Sequence, residues 1–198
     1  MNRFIFMQDS EGRDSLTRKA VGRDKVHRLF YPVVPVIITS RLGRRVSSMP
    51  AISCTTLSFN PLLIGVAIAP SHSSHEAVEE SGYFAVNWLD YVHFGKIDFM
   101  ATVSGREVQD KVTSAGLTVA NGIVTPTATI KEAVAVIECA VREKRKTGDH
   151  DLFIGECVAA YADEDFTDYW SYRGYAPILY VGSESTVFGK KYTELPQP

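Results

Sequence analysis

Residues Arg142 to Gly155 hold the densest chemistry in the chain. A basic run of Arg142, Lys144, Arg145 and Lys146 ends in Gly148-Asp149-His150 and passes straight into the apolar stretch Leu152-Phe153-Ile154-Gly155. The pattern puts an ionisable imidazole at a strand mouth beside several cations, where a polyanionic ligand can lie. A hairpin with a merely solvated charged tip would read the same way.

Two further stretches gather polar groups at short spacing. Ser47 to Pro61 repeats hydroxyls at Ser53, Thr55, Thr56 and Ser58 beside small residues that permit close approach of a flat ring. An exposed strand face accounts for the same density. Ala69-Pro70-Ser71-His72-Ser73-Ser74-His75-Glu76 places three hydroxyls between Ser71 and Ser74, and two imidazoles, ahead of a helix signal. Ser73 followed by Glu76 is a capping box and Gly82 a left-handed stop, so a helix over Ser74 to Ser81 is expected. A helix N-terminus with open N–H groups suits a phosphate. Plain capping by Ser73 needs no ligand. His72 and His75 could share a zinc ion with Cys54 and His150, but His-Glu-x-x-His and finger-type cysteine pairs are both absent, and no metal is expected.

The elements that must position these groups read mainly as strands. The β-branched and aromatic runs Val33 to Ile38, Leu62 to Ala69, Phe84 to Trp88, Ala133 to Val141, Leu152 to Tyr161 and Ile178 to Val181 supply them. Pro32 and Pro35 put the first of these at an edge or at its own beginning, and Arg41 to Arg45 form the polar turn after it. Ala133 to Tyr161 reads as a long hairpin around the basic turn. Helices are expected over His93 to Val103, ended by Gly105, and over Val108 to Ala115, ended by Gly116. Residues 9–28 are polar and basic and compatible with a helix that Gly22 weakens. The whole reads as a mainly β barrel over residues 29–198, with short helices inserted between the third and fourth strands and residues 1–28 as an N-terminal extension.

Composition sets the frame. The 198 residues are 45% hydrophobic and 22% charged, as in ordinary globular domains, and carry a net charge of −2. That charge argues against nucleic acid as the main partner. Cys54, Cys139 and Cys157 form no Cys-x-x-Cys pair and read as buried thiols in a reducing compartment. Met1 to Gln8 lacks the apolar core of a signal peptide, and no apolar run is long enough to span a bilayer, so a cytoplasmic protein without a membrane partner is expected. Rossmann, P-loop and nucleophile-elbow glycine patterns are absent.

The three chemical blocks, in this order, resemble the flavin reductase-like, FMN-binding split-barrel family. Gly148-Asp149-His150-x-Leu152-Phe153-x-Gly155-Glu156 matches its Gly-Asp-His signature, after an apolar strand with Glu138-Cys139. Tyr83-Phe84-Ala85-Val86-Asn87, Ser104-Gly105, Asp110-Lys111, Ala115-Gly116-Leu117 and Pro177 to Gly182 fall where that family has similar segments, and together the likeness covers about residues 29 to 192. The chain departs from it in three places. Ser48 precedes Met49 in place of Asn or Gly, Asn60-Pro61-Leu62 replaces Asp-Pro-Pro, and the Ser71 loop lacks the usual Arg or Lys, with His72 and His75 standing in as donors.

The resemblance implies an FMN-binding split β-barrel with Greek-key order, a homodimer, that transfers a hydride from NAD(P)H to flavin. FAD in place of FMN is also compatible. It implies phosphate contacts from Ser53, Thr55, Ser71, Ser73 and Ser74, with His72, His75 and Lys111 as charge partners. Ring contacts fall to Met49, Pro50, Ala51, Cys54 and Thr56, and His150 lies beside the nicotinamide as the catalytic residue. An electron carrier of flavoredoxin type serving a protein or ferric acceptor, a flavin-dependent oxidase or small-molecule reductase, and a non-catalytic FMN- or haem-binding barrel are the alternatives.

Overall fold

Eleven strands and three α-helices make up the computed structural model, which describes residues 19–182 and 192–194. The run Val36-Ile37-Ile38 opens β1 (Val36–Leu42), which turns through Gly43-Arg44 into β2 (Arg45–Ala51). β3 (Cys54–Phe59) and β4 (Leu62–Ile68) form a second hairpin around Asn60-Pro61. After α1 (Ser73–Ser81) come β5 (Tyr83–Trp88), α2 (Phe94–Thr102), and α3 (Lys111–Ser114), which is a single turn. β6 (Val119–Asn121) and β7 (Ala128–Ile130) pair with each other. The long hairpin β8 (Ala135–Thr147) and β9 (His150–Ala162) follows, then β10 (Ile178–Tyr180) and β11 (Tyr192–Glu194).

Seven strands form one antiparallel sheet in the order β2-β1-β5-β8-β9-β4-β3. Its edge strands, β2 and β3, are joined by only Ile52 and Ser53, so the two edges meet at one end and the sheet curls on itself. Both faces of β1 and β5 are covered, which explains their continuous apolar runs, whereas β9 alternates toward exposed residues at its far end. Ile38, Val66, Phe84, Val86 and Phe153 fill the inside of the curl. Ile37, one residue out of phase with Ile38, packs instead with Ile97, Met100, Val112 and Ile178 of α2, α3 and β10.

Both glycine-led hairpin turns follow from backbone freedom. Gly43 (φ 60°) and Gly148 (φ 71°) occupy the first of two loop positions, where a type II′ turn needs φ above zero. The Gly148-Asp149 turn sets Thr147 opposite His150, which makes His150 the first residue of β9.

Several expectations change. Ser47 to Pro61 is two strands, β2 and β3, at opposite sheet edges. Pro32 and Pro35 precede β1, which lies inside the sheet and runs on through Arg41 and Leu42. The capping box does not form. His72 is the N-cap and makes no side-chain cap bond, while Glu76 lies 3.6 Å from the Arg45 guanidinium. The Val108 to Ala115 helix shrinks to α3 because Asp110 caps it late, accepting from the Thr113 N–H at 3.1 Å and its hydroxyl at 2.6 Å. Of the helix expected over 9–28, the first half lies outside the described residues; Arg23–Phe30 forms a 3-10 helix with no buried residue. No helix among the described residues is long and apolar enough to cross a membrane.

Candidate functional site

A cavity of about 370 Å³ opens between the end of β2, the first turn of α1 and the last turn of α2. Met49 and Pro50 come from β2, Ser71 to Ser74 from the α1 entry, and Met100 to Gly105 from α2 and the loop after it, with Lys111 from α3. α1 has no side-chain cap; the His75 N–H donates to the His72 carbonyl at 3.0 Å, which leaves the Ser73 and Ser74 N–H groups for another acceptor. Ser74 is held by a 2.9 Å hydroxyl contact with Ser47. Gly105 presses so close that a Cβ there would run into the Ser73 hydroxyl.

The cavity wall is electropositive. The buried Lys111 ammonium donates to the carbonyls of Met100 (2.9 Å) and Val103 (3.4 Å), and burial lowers its pKa. His72 is pulled below the usual imidazole range by burial, by Lys111 and by His150. Burial and its two neighbours thus disfavour the charged ring, where the sequence suggested a charged donor. Three hydroxyls, a helix N-terminus and an ammonium in one concave wall form a donor set for an anionic oxygen cluster. Arg106, which the sequence did not single out, donates to the Ser71 carbonyl at 3.3 Å and brings a guanidinium to the loop that lacks one of its own.

His150 lies within electrostatic reach of His72, half-exposed at the hairpin tip, and donates from Nδ1 to Asp149 at 2.8 Å. That bond holds the Asp149 carboxyl below the usual range. The basic run behind it is largely neutralised. Arg142 pairs with Glu156 at 2.8 Å, Arg145 with Glu143 at 2.7 Å, and Lys144 with Glu79.

Residues 27–184 match the flavin reductase like domain. The chain belongs to the flavin reductase-like family. This flavin reductase-like protein is 38% identical over 165 residues to an uncharacterized protein of Aeropyrum pernix, covering 83% of the chain and 63% of that relative. The chain thus spans less than two thirds of that relative's length. A ferric-chelate reductase (NAD(P)H) of Archaeoglobus fulgidus is 30% identical over 129 residues, 65% of this chain and 75% of that one. Flavoredoxin from Methanosarcina acetivorans has the same fold, with a TM-score of 0.77 at 22% identity over 91% of this chain and 92% of that one.

In this flavin reductase-like barrel the residues expected at the cofactor divide into two groups. Met49, Pro50, Ser71, His72, Ser73, Ser74 and Lys111 line the cavity. Ala51, Ser53, Cys54, Thr55, Thr56 and His75 do not. Ala51 is buried in the barrel core, and Cys54 packs against that core from β3. The Ser53 hydroxyl donates to the Ala67 carbonyl at 2.9 Å, and Thr55 and Thr56 are exposed on the edge strand. His75 turns to Asp151. Burial pushes the Cys54 thiol up to about 12 and raises Cys139 and Cys157 as well. Among the described residues no group of three His, Cys, Asp or Glu comes together as a metal site. An aromatic cluster lies elsewhere: Trp88, Tyr161, Phe166 and Trp170 line a second, apolar cavity of about 310 Å³.

Proposed function

We propose that this protein binds FMN, or FAD in its place, and passes a hydride from NAD(P)H to the flavin. The observation that carries the reading is the cavity in which the uncapped N-terminus of α1, the hydroxyls of Ser71, Ser73 and Ser74, and the Lys111 ammonium converge. This donor set fits the phosphate of a flavin nucleotide. Met49 and Pro50 form the less polar wall that the ring would meet. The activity belongs to residues 29–198, working as a cytoplasmic homodimer, with 1–28 as an N-terminal extension.

A bound flavin would supply the two-electron chemistry, and the chain supplies binding and orientation. Lys111 is fixed by two carbonyls at the C-terminal end of α2, Met100 in its last turn and the C-cap Val103, so it meets an anion without first being ordered. The Ser73 and Ser74 N–H groups and hydroxyls would hold the phosphate oxygens, while Arg106 donates to the Ser71 carbonyl beside them. His150 would meet the nicotinamide, with Asp149 accepting its Nδ1 proton and leaving Nε2 free of that bond. No side chain needs to move a proton in the transfer itself. Stacking of donor and acceptor at near-attack distance is an orientation problem.

The likeness to a ferric-chelate reductase favours one second reading, in which tightly held flavin passes electrons on to ferric iron. The visible spectrum of the purified protein tests for bound flavin. Steady-state NAD(P)H oxidation with free flavin, with a ferric chelate and with neither separates the two acceptors. A colourless protein that oxidises neither NADH nor NADPH with flavin present overturns both.

A further inference from the structure

The tip of the β8–β9 hairpin outruns its neighbours in the sheet. β5 leaves β8 at Ala140, and β4 leaves β9 at Asp151, whose partner there is Ile68. His150 is the next residue outward and faces only Thr147. The sheet ladder alone therefore leaves the imidazole on a two-stranded lever.

α1 grips that lever from the side. His75 Nε2 donates to the Asp151 carboxylate at 2.8 Å, and His75 Nδ1 lies 3.5 Å from the Glu79 carboxylate. Glu79 in turn pairs with Lys144 across the hairpin. Asp151, His75, Glu79 and Lys144 thus make a chain with two members on the helix and two on the hairpin, which resists rocking as well as separation. His75 and Asp151 are nearly buried, with 9% and 13% of their side chains exposed, so water competes little for their bond. The Phe153 ring meets the imidazole edge-on at 5.1 Å and limits its rotation. His75 lies directly after Ser73 and Ser74, whose hydroxyls line the cavity, and Asp151 directly after His150.

We propose that His75 is a positioning residue: through Asp151 it clamps the cavity-forming helix to the hairpin and sets where His150 stands relative to the cavity. The clamp rests on the reading of His150 as the group that faces the nicotinamide. It explains why this histidine, expected at the phosphate, is turned away from the cavity.

The test combines Asp151→Asn with Glu79→Gln, at the more exposed end of the chain, each made alone and in a His150→Ala background. Each protein is loaded with FMN, and its reduction by NADH and by NADPH is followed anaerobically in a stopped-flow instrument. The single variants are expected to keep the parental FMN affinity and donor dissociation constant, while the limiting reduction rate of Asp151→Asn falls on the order of tenfold, because orientation errors of an ångström act on the rate. Glu79→Gln falls less, and neither slows the His150→Ala protein further. Parental limiting rates in both single variants overturn the clamp, as does an equal fold-loss in both backgrounds, which marks a general structural effect. If Asp151→Asn does not load FMN, Glu79→Gln decides by the same criterion. A parental rate in His150→Ala alone refutes the reading of His150 and the clamp with it, whereas slow His150→Ala beside parental clamp variants refutes the clamp alone.

Discussion

Lys111 Nζ lies 2.9 Å from the carbonyl oxygen of Met100, which plants a buried ammonium between the C-terminal turn of α2 and the cavity. The carbonyl end of a helix favours a cation, and burial works against it. Lys111→Met removes the charge and strands two carbonyls. Flavin affinity is expected to fall, with a stability loss of about 1–3 kcal/mol. Fluorescence titration and urea unfolding read the two effects separately, and unchanged affinity beside lowered stability would assign Lys111 to the fold alone.

The first turn of α1 gives the second prediction. Replacing Ser73 and Ser74 together by Ala is expected to weaken FMN binding by about 1.5–3 kcal/mol for each charge-assisted bond lost. Gly105→Ala reaches the same hydroxyl from outside, because the new Cβ displaces the Ser73 Oγ. Its effect should follow that of Ser73→Ala in direction. Parental affinity in both proteins would take this wall out of the site.

Much of this architecture is written locally. The β-branched runs of β4 and β5, the long hairpin and its Gly148-Asp149 turn need only neighbours in sequence to be recognised. The break between β2 and β3 carries no such mark, since Ile52-Ser53 has neither glycine nor proline, and the two strands part to opposite edges for tertiary reasons. β6 and β7 are three residues each, too short for any period to show. In sequence His75 groups with its neighbours as a phosphate donor, because its partner, Asp151, is 76 residues away. Arg106 escaped for the same reason, since the loop it serves lies 35 residues back at Ser71.

Glu138 predicts how stability follows pH. Burial raises its pKa, but the N–H groups of Ile123, Thr125 and Val124 and the Thr125 hydroxyl outweigh that and hold the carboxyl below the usual glutamate range. A folded-state pKa below the unfolded one stabilises the fold above the unfolded value, roughly 4.3. That contribution is lost as pH falls through the folded value. Glu138→Gln should cost about 1.5–3 kcal/mol at neutral pH, and the gap to the parent should close on acidification. Urea titrations at a series of pH values check it; a constant gap would contradict the assignment.

The cysteines are expected to be chemically silent. With its thiol pushed up to about 12, Cys54 forms almost no thiolate near neutral pH. Cys54→Ser should bind flavin and turn over at close to the parental rate. Normal binding with abolished turnover would replace the present account with a thiol–flavin mechanism.

Anaerobic stopped-flow reduction of the FMN-loaded protein and of His150→Ala, followed by the loss of flavin absorbance across a range of NADH and NADPH concentrations, tests the central claim most directly. The account predicts rapid bleaching of the parent by at least one nicotinamide, and a His150→Ala protein that holds FMN normally but is reduced more slowly. Reduction of the variant at the parental rate at every donor concentration, or no reduction of the parent by either nicotinamide, would contradict it.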